Sequence, residues 1–136
     1  MLGNLGLVYA ALGRPADALF SCQAMLKVAL AIGDARILGQ CLGHLGLAQA
    51  RLLDFSTARA SLAEGQAILQ QINDPLSLGL LQCQRAESEW LSGDVVAAEQ
   101  ARTSAVNLGA ASGAGPSSEL GLALARLESL LSGSSV

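Results

Sequence analysis

Along most of the chain, apolar residues return every three or four positions and polar residues fill the gaps. Leu38, Cys41, Leu42, Leu45 and Leu52 keep this spacing, which puts them on one buried helical face. Helix-start residues stand between such stretches: Asp34 follows Gly33, Asp74 precedes Pro75, Asp94 follows Gly93, and Pro15 follows Gly13 and Arg14. An Asp at such a position accepts from first-turn N–H groups, and Pro in the first turn sacrifices no helical hydrogen bond. The pattern predicts an all-α chain with helices at about 1–12, 15–32, 35–52, 55–72, 75–92, 95–112 and 117–132. No stretch reads convincingly as a strand. Gly109 to Ser118, rich in Gly, Ala and Ser, reads as the one flexible connection.

The pattern repeats at a spacing of 40 residues. Leu2-Gly3-Asn4-Leu5-Gly6-Leu7 is matched by Leu42-Gly43-His44-Leu45-Gly46-Leu47, five identities in six positions. Ala18, Ala58 and Ala98 fall in register, as do Gly13 and Gly93, Asp34 and Asp74, and Gly33, Asn73 and Gly113. A fixed period of this size implies stacked units, each a pair of helices. A single domain over 1–136 is expected, with units at about 1–33, 34–73 and 74–113 and a terminal helix at about 117–132.

On these residues the chain resembles the tetratricopeptide repeat (TPR) family, in a subtype with a 40-residue period found in bacterial multidomain regulators. Gly6, Gly46 and Ala86 stand at the small position of the first helix, and Tyr9 at its aromatic position. Gly13 and Gly93 match the turn glycines, and Ala18, Ala58 and Ala98 the small residues of the second helix. Only Gly or Ala lets two helix backbones approach closely without a clash. The resemblance implies antiparallel helix pairs stacked in a right-handed superhelix, an α-solenoid. The third unit departs from the pattern with Arg85 and Glu89, four apart and able to pair with each other. Gln49 and Leu53 are smaller departures in the second unit.

Met1 aligns with Cys41, inside its helix, so the first helix reads as cut short; Arg126 and Ser129 give the terminal helix a polar outer face suited to a cap. Met1 to Gly13 lacks the basic leader and cleavage site of a signal peptide.

Composition narrows the function classes. Hydrophobic residues make up 51%, aromatics 3% and charged residues 14%, which speaks against disorder and against an all-β fold. Eight basic and eleven acidic residues leave no electrostatic footprint for nucleic acid or an anionic membrane. The longest uncharged run, Thr103 to Ser118, is too short and too polar to span a bilayer. Three widely spaced cysteines, Cys22, Cys41 and Cys83, read as buried reduced thiols in a cytoplasmic protein. With a single histidine, His44, neither an acid–base constellation nor a structural zinc site can be assembled with conventional spacing. Glu87 and Glu89 lie on different faces and read as solvated charge. No enzyme, no cofactor and no metal site is expected.

The resemblance implies a concave groove lined by the first helix of each pair, where family members grip a protein or peptide segment. The matching positions are Gly3, Asn4, Leu7 and Ala11, then Gln40, Gly43, His44, Leu47 and Arg51, then Leu80, Cys83, Gln84, Glu87 and Trp90. Asn4, His44 and Gln84 make a ladder of neutral hydrogen-bonding groups. Arg51 and Glu87 have the alternative of pairing with each other, and Trp90 of packing in the core. Lys27 is the only lysine, so the groove suits an amphipathic or neutral peptide rather than an acidic one. Two further readings stand beside this interaction module: a sensor fragment of a larger bacterial regulator, and self-association through apolar surface at Met1, Leu2 and Leu5.

Overall fold

A computed structural model describes residues 14–133. Six helices are described: α1 (Pro15–Ile32), α2 (Ala35–Arg51), α3 (Phe55–Gln71), α4 (Pro75–Ser92), α5 (Val95–Ser112) and α6 (Glu119–Leu131). The helix expected over 1–12 lies outside the described residues. The chain is all-α, and its helices pack as sequential antiparallel pairs, α2 with α3 and α4 with α5. Helices α2, α4 and α6 also pack in a row. Helices α1, α3 and α5 lie against that row and, among the described residues, make no close backbone contact with one another.

Local chemistry sets the helix ends. The Asp34, Asp74 and Asp94 carboxylates accept from the backbone N–H of Ile37, Ser77 and Ala97 at 3.1, 3.1 and 3.0 Å. These bonds satisfy donors that a helix cannot satisfy itself. Ser118 Oγ caps α6 by accepting from Gly121 N–H at 3.0 Å. At the other ends, a left-handed residue recurs at every twentieth position: Gly33, Leu53, Asn73, Gly93, Gly113 and Gly133, with φ of 75°, 67°, 54°, 89°, 72° and 74°. Glycine takes this conformation without strain, Asn tolerates it, and leucine does not. Of the Gly109–Ser118 stretch expected to be a flexible connection, residues 113–118 link α5 to α6, and the first part is helical. Helix α5 runs through Ser112, and Ala114 N–H bonds to Gly109 O at 3.0 Å while Ser118 N–H and Oγ both bond to Gly115 O, at 3.1 and 2.7 Å.

Small residues sit where the helices cross. Ala18, Ala58 and Ala98 are 2%, 0% and 0% exposed, and Ala86 is fully buried. A Cβ on Gly46 would meet Leu62 Cγ at 2.6 Å and the Ala58 carbonyl at 3.2 Å. The core divides along the stack into clusters around Leu42 and Leu45, around Leu62, Leu69 and Leu81, and around Ala101, Leu120 and Leu127. Gln49 is buried and accepts from Ser61 Oγ at 2.7 Å. Helix α1 is the one described helix long and apolar enough, by length and composition, to cross a membrane. It buries Ala18, Ser21, Cys22 and Ala29 and leaves Phe20, Leu30 and Ile32 exposed.

Leu53 identifies a correctable strain, because its side chain is exposed and its φ is left-handed. Leu53→Gly is expected to stabilise the fold by about 0.5–1 kcal/mol, the relief of strain exceeding the entropy gained by the unfolded chain. Urea denaturation should show a higher midpoint at an unchanged slope.

Candidate functional site

The repeat places equivalent residues of α2, α4 and α6 beside one another, and between these helices lies a cavity of about 380 Å³. Leu47, Glu87 and Leu127, each 40 residues apart, line it together, as do His44 and Gln84 and, one turn away, Cys83 and Ala123. Ala18 and Cys22 of α1 also reach it. Its walls are therefore largely apolar, with a few polar groups from facing helices.

Those polar groups satisfy one another. Gln84 Nε2 lies 2.8 Å from His44 Nδ1, so the amide donates and the imidazole carries its proton on Nε2. Burial pushes the His44 pKa down to about 4, so the ring is neutral at physiological pH. Glu87 is buried and accepts from Arg51 Nε and Nη2 at 2.9 and 2.6 Å on one oxygen. Its other oxygen faces Arg126 Nη2 of α6 at 3.5 Å. Arg126 thus turns back to the cavity rather than presenting only an outward capping face.

Glu87 and Glu89 are not solvated charges. They are 8% and 7% exposed, and Glu89 is held by Arg59 Nη2 of α3 at 2.8 Å. The hydrogen bond from Arg59 outweighs burial and keeps the Glu89 carboxyl below its ordinary range. Arg85 does not pair with Glu89; its Nη1 donates to Gln66 Oε1 at 3.1 Å. Both partners come from α3, across the helix crossing, where a reading of α4 alone cannot find them.

Of the groove residues expected from sequence, His44, Leu47, Arg51, Leu80, Cys83, Gln84 and Glu87 line the cavity. Gln40 does not: it is exposed, and its Nε2 donates to Ser77 Oγ at 2.9 Å. Trp90 is half-buried and lies outside the cavity lining. Gly43 is buried against Gln84, whose Oε1 a Cβ at that position would strike. Asn4, Leu7, Gly3 and Ala11 fall outside the described residues. The sequence reading missed Glu119, Ala123, Arg126 and Leu127, the α6 wall. Carrying the 40-residue register one unit further, from Cys83 to Ala123 and Glu87 to Leu127, was the available signal.

No protein-family model, no curated protein and no solved structure matches this chain. The site is therefore interpreted from its own chemistry. Burial raises the Cys22 and Cys83 thiols to about 11 and about 12, leaving both protonated at neutral pH. Among the described residues no group of three His, Cys, Asp or Glu side chains is placed to hold a metal ion.

Two measurements probe this polar interior. Removing Arg51 leaves the buried Glu87 with only the longer contact to the exposed Arg126, so Arg51→Met is expected to destabilise the protein by about 3 kcal/mol, whereas Arg51→Met with Glu87→Met recovers most of the loss. Chemical denaturation of the two single variants and the double variant gives the cycle. The second measurement concerns pH. The unfolded chain protonates His44 near 6.5 and the folded chain only near 4, so between these values the unfolded state binds more protons. The stabilisation is complete above pH 6.5 and is lost as pH falls toward 4, an effect of about 2–3 kcal/mol. Melting followed from pH 7.5 to 4.5 should show this slope in wild type and a flatter profile in His44→Gln.

Proposed function

We propose that this chain is a tetratricopeptide-type interaction module, its helix pairs stacked as a right-handed α-solenoid, that binds a protein or peptide segment in the α2–α4–α6 cavity without catalysing a reaction. The observation that carries the reading is the assembly of that cavity from residues one repeat apart, His44 with Gln84 and Leu47 with Glu87 and Leu127. Concave sites with mostly apolar walls and a few convergent polar groups are common binding sites, and a volume of about 380 Å³ suits one or two side chains of a bound segment. The neutral imidazole–amide pair and the internally balanced Glu87 favour an amphipathic or uncharged ligand over a strongly charged one. A neutral His44 and two protonated thiols leave these groups without an activated nucleophile, which supports the non-catalytic reading.

A second reading, self-association, is supported by the exposed Phe20, Leu30 and Ile32 of α1, which are 73%, 60% and 62% accessible. One set of experiments separates the two. A partner captured from lysate by the wild-type chain should be lost, by about tenfold or more, from a His44→Ala, Gln84→Ala variant of unchanged helicity. Equal capture by both proteins moves the interface off the cavity. Sedimentation that shows a dimer in wild type and a monomer in Phe20→Ser favours the second reading.

A further inference from the structure

A second depression lies between α3 and α5, floored by α4, with a volume of about 570 Å³. It exists because α3 and α5 each pack on α4 but not on one another. Its chemistry breaks the repeat. Gln66, Gln70, Gln82 and Arg85 line it, and the residues 40 positions earlier are Leu26, Leu30, Leu42 and Leu45. At four positions where the earlier helices use leucine, the helices 40 residues on use three carboxamides and a guanidinium. Leu42 and Leu45 are core residues, so the exchange puts hydrogen-bonding groups into positions whose default is apolar.

The orientation of these groups follows from donor and acceptor capacity alone. A guanidinium can only donate, so the Gln66 atom 3.1 Å from Arg85 Nη1 is Oε1. The Gln82 atom 2.9 Å from that same oxygen must then be Nε2. That leaves Gln82 Oε1, the buried side-chain polar atom that lacks a partner among the described residues, in the wall of the furrow. The Gln82 side chain is 3% exposed, and an unmet acceptor at that depth is strongly unfavourable. Gln66 satisfies only the donor edge of the Gln82 carboxamide. Its own Nε2 donates to no protein atom among the described residues.

We propose that this furrow is a second binding site, for an extended, uncharged peptide segment clamped by Gln82. One residue of an extended chain presents its N–H and C=O on the same side. A carboxamide matches that pair: Gln82 Oε1 accepts the N–H, and Gln82 Nε2 donates to the C=O. The segment takes the place of the Gln66 side chain, which swings aside with the exposed Arg85. Both edges of Gln82 are then satisfied, which Gln66 alone does not achieve. Gln70, Gln100 and Asn107 offer further amides along the walls. The chemistry argues against other polymers. Arg85 is the single cation in the lining, too few for a phosphate backbone, and no aromatic ring is there for a sugar to stack on. The site is separate from the α2–α4–α6 cavity and does not depend on the function proposed for it.

The test uses the whole chain with its glutamine side chains labelled with ¹⁵N. The probe is an acetylated, amidated hexapeptide of alternating alanine and serine, with maltohexaose as the polyol control. The peptide is expected to shift the side-chain NH₂ resonances of Gln82 and Gln66 saturably and to leave Gln84 unmoved. Gln82→Leu, which restores the residue of the preceding unit, should melt at a higher temperature than wild type and lose peptide affinity by about tenfold or more. Gln66→Ala, at the removable cover, should bind the peptide severalfold more tightly, and it serves as the test if Gln82→Leu does not fold. The proposal is overturned if the peptide leaves Gln82 unshifted, if maltohexaose shifts it instead, or if neither substitution changes the affinity.

Discussion

The structure rests on how closely its helices approach. With few aromatic side chains to fill space, the chain gains density by bringing backbones together, and this requires hydrogen or methyl side chains at each crossing. A Cβ on Gly65 would lie 3.0 Å from the Gly39 carbonyl and 3.0 Å from Leu42 Cβ, so α2 and α3 meet almost backbone to backbone there. Gly39 and Gly46 receive Leu69 and Leu62 in the same way. Ala18, Ala58, Ala86 and Ala98 serve the remaining crossings. The depressions lie beside the row of α2, α4 and α6 against which these close-packed helices are set.

Close approach also decides the fate of the polar residues. Side chains one repeat apart on neighbouring helices come within hydrogen-bonding distance, so His44 meets Gln84 at 2.8 Å and Arg51 meets Glu87 four positions out of register at 2.6 Å. Asp74 belongs to the same scheme. Burial alone would raise its pKa, but the hydroxyl and N–H of Ser77 and the guanidinium of Arg36 hold it below the ordinary carboxylate range. Polar groups at these crossings are locked into pairs, which fixes their geometry before any ligand arrives.

Much of this was legible in the sequence because it is local. Aspartates before the first turn, glycines after the last, and apolar positions three or four apart locate each described helix to within two residues. The family resemblance implied a shared groove for His44, Leu47, Gln84 and Glu87, and these four residues line one cavity. What stayed hidden depends on partners from other helices. Glu89 looks exposed on α4 until Arg59 of α3 is seen against it, and Arg85 looks like its natural partner until Gln66 is found within reach. Gln82 is the clearest case. Nothing in its neighbours along the chain shows that one edge of its carboxamide is satisfied and the other is not. In Gly109–Ser118 composition alone did not show how far α5 runs, since Gly109 to Ser112 belong to the helix and the turn beyond it is held by backbone bonds.

Every packed helix pair is at most two elements apart in the chain, so the fold closes only short loops. Low contact order of this kind favours rapid folding, and it lets one end loosen while the rest stays formed. Among the described residues, helix α6, 13 residues long, packs only on α4 and α5. It is also the wall that carries Ala123, Arg126 and Leu127. Loosening those two contacts would widen the cavity while α2, α3 and α4 stay packed, so the shape of the site depends on a small part of the packing rather than on the stability of the whole.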